Sequence, residues 1–279
     1  MTIANPVTGS RRAVRPAVVL AAAYLALMFA WAVAPGVFTS GTPYDTDIET
    51  PLKPPSFEHW FGTDASGRDI YTRVVFGAQS SLAIGVGATA LALIVAIALG
   101  FAAGLGGRFA DGVISRFLEV LLSIPGLLIA LLFIAVLGPG VATQILAVAI
   151  GSAVGYARMV RGQVIAVKDS GYVHAATALG HSRRRVITAH VFPNAMRPLV
   201  VLGTMGIGQS IIWASSLSFL GLGVAPPAPE WGAMLNAGRD FVSTAWWLEL
   251  FPGLAIIGCT LAVTVVGRYL QQRLEGRLE

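Results

Sequence analysis

Charge is scarce in this chain: Asp, Glu, Lys and Arg make up 12% of its 279 residues, about half the roughly 25% of a soluble domain. With 55% hydrophobic residues and a mean hydropathy of +0.73, that shortage excludes a soluble enzyme, a disordered chain and a nucleic-acid binder, despite a pI near 9.8. A single cysteine, Cys259, excludes an internal disulfide, and no Cys/His cluster has metal-ligand spacing. The only lysines are Lys53 and Lys168. No Gly-x-x-x-x-Gly-Lys-[Ser/Thr] loop and no His-Glu-x-x-His helix occurs, so neither a nucleotide site nor a catalytic constellation is legible.

What the chain does have is long stretches free of charge. Crossing about 30 Å of hydrocarbon takes about 20 helical residues. Five uncharged stretches qualify or nearly do: 16–44, 74–107, 120–157, 198–229 and 250–267. The third would run about 57 Å as one helix and contains Leu137-Gly138-Pro139-Gly140, a break between apolar arms. It is therefore predicted as a hairpin of helices, 117–137 and 141–158. The total is six membrane helices, an all-α integral membrane protein. Continuous apolar runs exclude a β-barrel, whose segments are short and alternating. Arg11, Arg12 and Arg15 before 17–34 also fit a signal peptide, but the long core with Tyr24, Phe29 and Trp31 favours a retained span.

Charge sets the expected orientation. The tails 1–15 and 268–279, with segments 108–119 and 158–197, carry +10 in total, while 35–73, 138–140 and 221–249 carry −5. Cytoplasmic loops are enriched in Lys and Arg, so both termini are predicted to be cytoplasmic. The expected organisation is a tail, 1–15, a six-helix domain, 16–267, with an external loop at 35–73 and a cytoplasmic loop at 158–197, and a tail, 268–279. No span has an acid or base at its centre, which gives no support to an ion-coupled carrier, and no internal repeat supports a secondary transporter.

The loop 158–197 has a pattern of its own. Asp169-Ser170 offers a helix cap, Tyr172 to Leu179 continues a helix, and Gly180 can close it in a left-handed turn. A second helical piece is predicted from Arg183 to about His190, ending before Pro193, which fits a new first turn. The sequence His174-Ala175-Ala176, three residues, Gly180, nine residues, His190-Val191-Phe192-Pro193 resembles the coupling motif of bacterial ABC importer permeases. His174 stands where that motif has Glu, and His190 where it has Ile. Phe192-Pro193-Asn194-Ala195, the run from Ser216 to Pro227, Glu230-Trp231-Gly232-Ala233-Met234-Leu235 and Phe61 to Asp69 are similar to the C-type permeases of dipeptide and oligopeptide importers. The resemblance covers about residues 55–270.

The resemblance implies a non-catalytic pore subunit of an ATP-driven importer in the bacterial inner membrane. It implies a homologous B-type permease, two ATPase subunits that bind ATP and Mg, and an extracytoplasmic solute-binding protein; this chain itself holds no cofactor and binds no nucleic acid. Coupling is expected at 169–193 through His174, Ala175, Ala176, Gly180, Arg183, Arg184 and Pro193. The alanine pair would admit a close approach of the ATPase. Arg183, Arg184 and Arg185 would pair with its acidic groups or, equally, with anionic lipid. The segment 61–69 is expected to be a structural cap with a turn and a capped helix. Pro226-Pro227, Trp231 and Trp246-Trp247 are expected to form a rigid external loop and an interfacial aromatic belt, with docking of an external binding protein an alternative there. Cargo is not legible: the family carries peptides, nickel, haem or sugars.

Overall fold

A computed structural model describes residues 16–274, and among these the chain is helical, with no strand beyond an isolated bridge between Thr63 and Asp69. Both expected tails fall partly or wholly outside the described residues, including Arg11, Arg12 and Arg15.

The first helix, α1 (Pro16–Val33), packs along the last one and buries Met28 in the shared core, while the Tyr24 hydroxyl donates to the Ala255 carbonyl (3.3 Å). The spine is α2 (Ile70–Leu105), 36 residues and so about 54 Å long. Asp69 starts it by accepting from the Thr72 N–H (2.8 Å), the capped helix expected there. One face of α2 is small throughout, with Ala88, Ala92, Ala96, Gly100 and Gly104 all buried. That lets α5 lie close: a Cβ at Gly100 would stand 2.5 Å from the Val160 side chain. Small residues at such seams let backbones approach where apolar burial alone gives no drive, since lipid is as apolar as Leu.

The third crossing corrects the predicted helix 117–137. The chain forms α3 (Gly107–Ser123) and α4 (Gly126–Leu137), bent by 87° at Ile124-Pro125. Proline pushes the residue before it out of the helical region, and Ile124 is extended (φ −90°, ψ 126°). The break at Gly138-Pro139-Gly140 is where it was expected. Next, α5 (Val141–Lys168) runs about three turns beyond the predicted end at 158. Arg158, Arg161 and Lys168 end the apolar stretch but are good helix formers, so the loop of 158–197 begins in fact at Asp169. Arg161 also clamps Asp111 of α3 with two hydrogen bonds, one of them 2.7 Å.

After α6 (Gly171–Ala178) and α7 (Arg183–Val186), a π-turn over Ile187–Val191 leads directly into α8 (Phe192–Phe219). Pro193 sits in the first turn of α8, as expected, but no break separates that helix from the piece before it. A proline has no N–H and crowds the carbonyl four residues back; the wider π-turn makes room, and the Asn194 side chain donates to the His190 carbonyl (2.7 Å). Then come α9 (Trp231–Gly238) and α10 (Trp247–Leu274), which absorbs residues 268–274 of the expected tail. Among the described residues five helices are long and apolar enough to span a membrane, and the total is six where the bent pair α3–α4 counts as one span.

Candidate functional site

The expected coupling residues lie at the end of the bundle where α2 finishes. Helix α6 follows Ser170, whose backbone takes the cap position but whose hydroxyl bonds back to the Val167 carbonyl (2.6 Å), so the predicted side-chain cap is not made. Gly180 takes φ +81°, the left-handed turn its position predicted. Its N–H donates to the Thr177 carbonyl (3.0 Å) and that of His181 to the Ala176 carbonyl (3.2 Å), the paired bonds of a Schellman ending. Ser182 then caps α7 by accepting from the Arg185 N–H (3.4 Å).

The predicted residues divide by the direction they face. His174 and Ala175 are exposed, whereas Ala176 is 5% exposed and, with Val173, turned into the chain's own core. The alanine pair thus does not present one docking face: the α-helical turn puts neighbours about 100° apart. His174 and Arg183 line one recess of about 390 Å³ with Lys168, His181 and Ile187. Arg184 is exposed away from it, and Pro193 sits on the first turn of α8. Arg183 donates to the Leu105 carbonyl (3.2 Å), and Lys168 to that of Gly104 (3.5 Å). Both cations thus meet the negative end of the α2 dipole and its unpaired carbonyls. Lys168 was not among the predicted residues, although it is one of only two lysines. Leu179 was missed as well: it is 79% exposed at the tip, an apolar side chain just before the turn glycine.

At the other end of α2 the segments 35–73 and 221–249 form one cross-linked cap. Arg73, 6% exposed, donates to the carbonyls of Pro43 (2.9 Å) and Pro227 (3.2 Å). Asp64 faces both Arg68 (3.3 Å) and Arg73 (3.7 Å). Glu230, 1% exposed, caps α9 by accepting from the N–H groups of Gly232 and Ala233 (both 2.8 Å), and Ser81 of α2 donates to it (3.4 Å). Trp231 and Trp247 correct the expected aromatic belt. They are buried, with the indole of Trp231 donating to the Val74 carbonyl (2.9 Å) and that of Trp247 to Thr63 (3.1 Å). Gly77 makes the room, since a Cβ there would meet the Trp231 ring at 2.7 Å. Trp246 is 53% exposed. Hydrogen bonds from Thr42 hold the Asp45 carboxyl below its usual range, so the rim of this cap stays negative.

Between the ends, buried polar groups stitch helices together. Gln144 of α5 donates to the Ala214 carbonyl (3.2 Å) and the Ser218 hydroxyl (2.7 Å) of α8, and Thr89 meets Ser210 at 3.0 Å. Among the described residues no group of His, Cys, Asp and Glu is placed to hold a metal ion.

A family profile described as binding-protein-dependent transport system inner membrane component matches residues 96–279. The chain is 40% identical over 243 residues to the dipeptide transport system permease protein of Alkalihalophilus pseudofirmus, covering 87% of this chain and 80% of that one. It is 41% identical over 242 residues to the glutathione transport system permease protein of Salmonella typhimurium, covering 85% and 80%. Among solved structures it is similar to the MetNI methionine ABC transporter in its inward-facing form, with a TM-score of 0.58 at 15% identity over 74% of this chain and 97% of that one. An amino acid ABC transporter gives a TM-score of 0.57 at 19% identity over 75% and 95%.

Proposed function

The chain belongs to the family of binding-protein-dependent transport system inner membrane components, and from that premise we propose how its two ends divide the work. It is the permease subunit of an ABC importer, a non-catalytic component of the inner membrane that works with ATPase subunits. In our reading the basic end faces the cytoplasm and the acidic cap faces outward, because Lys and Arg concentrate in cytoplasmic loops. Segment 169–193 docks on an ATPase through the open face of α6, with His174, Ala175 and Leu179 forward. Ala176 and Gly180 shape that face from behind, and Arg183 ties it to α2. Arg184 is offered to acidic groups of the ATPase or to lipid, and Pro193 begins the return into the membrane.

The assembly we propose adds a homologous B-type permease, two ATPases that hold ATP and Mg, and an extracytoplasmic solute-binding protein that delivers cargo to the acidic cap. The cargo is a short peptide, since the relatives are permeases named for dipeptides and for glutathione. One observation carries the docking claim: Leu179 is 79% exposed on a loop whose base is bonded to the end of α2. A lone exposed leucine is ordinary on a protein surface; what favours docking is that Leu179 stands with the half-exposed Tyr172 and the exposed Ala175 on a loop held to the bundle at its base.

Two experiments test this. Reconstituted with its partners, the chain supports ATP-dependent peptide uptake, and alone it turns over no ATP; uptake without ATP, or turnover by the chain alone, overturns the reading. With Cys259 replaced, Ala237→Cys reacts with an impermeant label from outside and Ser182→Cys only after permeabilisation. External labelling at 182 reverses the orientation.

A further inference from the structure

The bend between α3 and α4 opens a cavity of about 420 Å³ walled by α4, α5 and α8. Helix α4 has 12 residues and is about 18 Å long, too short to cross about 30 Å of hydrocarbon. If α3 and α4 make one crossing, the break at Ile124-Pro125 lies at membrane depth. Backbone that leaves a helix there is tolerated only where protein buries it or where it lines a water-filled cavity. Pro125 and Gly126 line this cavity, and so do the polar side chains of Ser152, Tyr156 and Gln209. Gln209 is exposed, and no lining residue carries a formal charge. Gly151 and Gly155, one helical turn apart on α5, are exposed on the same wall, and a Cβ added at either meets nothing within 4 Å. Across from them Trp213 of α8 is 43% exposed.

We infer that this cavity is one wall of a water-filled passage for cargo, and that Gly151 and Gly155, facing Gln209 and Trp213, set the size of solute that passes. This rests on the permease reading and adds to it a place and a basis of selection. The walls carry no formal charge and so offer no fixed partner for either end of a peptide; selection at this level rests on size, with the bare glycine floor leaving room for side chains. The competing account is a dry seam, since two small residues one turn apart also suit close packing against a helix of another subunit.

The test uses the full complex with Cys259→Ala. Gly151→Cys, Ser152→Cys and Gln209→Cys are treated with a charged, membrane-impermeant methanethiosulfonate. Phe29→Cys and Ile257→Cys, 66% and 56% exposed on the outer faces of α1 and α10, are the references. A passage gives modification at least tenfold faster at the cavity positions. Rates equal to the references mean a dry seam and overturn the inference. In parallel, Gly155→Ala, Gly155→Leu and Gly155→Trp are assayed for uptake of dialanine and tetra-alanine. A size filter loses tetra-alanine uptake at a smaller side chain than dialanine uptake, with the subunits still assembled. Equal loss of both peptides together with dissociation of the subunits overturns it. If the unaltered complex transports neither peptide, the cargo reading fails, while the cysteine rates still decide whether the cavity is wet.

Discussion

The acidic cap buries a cross-linked set of polar side chains beneath an exposed charged rim, whereas the loop at the basic end keeps most of its polar side chains open. In the cap, Glu230 and Arg73 are 1% and 6% exposed, and each meets backbone partners within the chain. At the basic end Arg183, from the loop, and Lys168, from the last turn of α5, bond back to α2, while His174, Ala175, Leu179 and Arg184 remain exposed. A buried network that is satisfied at home makes a region rigid, and breaking it leaves unpaired groups that cost stability. An exposed surface anchored only at its base contributes little to folding and is free to serve a partner. The same helix, α2, begins in the first region and ends in the second, so a load applied at the loop has a stiff 36-residue path to the cap.

The contrast predicts where substitutions register as stability. The largest loss belongs to Trp231→Ala, which empties a fully buried site under α2 and removes its bond to Val74. The expected cost is about 3–5 kcal/mol, read as a lowered Tm of the detergent-solubilised complex. Trp231→Phe keeps most of the volume and costs about 1 kcal/mol for the lost hydrogen bond. Trp246→Ala, at an exposed ring, costs less than either; an equal loss at 246 would erase the distinction between cap and belt.

Two glycines then separate space from backbone conformation. Gly100 is helical, and a Cβ there strikes Val160 at 2.5 Å, so Gly100→Ala overpacks the seam between α2 and α5 and costs about 1–3 kcal/mol. Gly180 has open space around it but φ +81°, so Gly180→Ala pays only the left-handed strain of about 1–2 kcal/mol, confined to the loop. Gly180→Asn, which tolerates that conformation, recovers part of the loss, and Gly100→Asn does not. Unfolding curves of the four variants check this; recovery at both positions would mean that neither explanation holds.

The six crossings were legible because charge marks where a chain leaves hydrocarbon. The details that sequence reasoning missed share a cause: a gap between charges measures polarity and not helix continuity. Pro125 stood in plain view inside an uncharged stretch, and a count of charges passed over it. Arg158, Arg161 and Lys168 closed the stretch although the helix ran on through them. Pro193 was rightly placed in a first turn, but a local rule cannot foresee the π-turn upstream that joins this helix to the one before it. Gly180 was read correctly, since its conformation is decided within six residues. Trp231 and Ala176 were misplaced because their burial is decided elsewhere, by Gly77 about 150 residues away and by the core that the far side of α6 meets. Which face of a short helix looks inward is a tertiary fact.

That last point gives the smallest expected effect on stability and the sharpest test of the loop. Ala175 and Ala176 are adjacent, and the resemblance alone treats them as a pair. Ala176→Trp forces an indole into a site that is 5% exposed, so stability and ATPase association fall together and the result says nothing about docking. Ala175→Trp puts the same ring on the exposed face of α6, where surface changes stay within about 0.5 kcal/mol. Its Tm is therefore expected to match the unaltered complex, while retention of the ATPase on co-purification falls at least tenfold. Leu179→Asp makes the complementary change: a charge replaces an apolar side chain that has little of its surface covered. It too leaves Tm unchanged and weakens association, because desolvating the new carboxylate against the partner is unfavourable. If Ala175→Trp and Leu179→Asp both assemble and transport normally, the ATPase does not seat on this face of α6. The exposure of the loop would then reflect solvent alone, and Arg183 and Lys168 would be anchoring a topology signal rather than a lever.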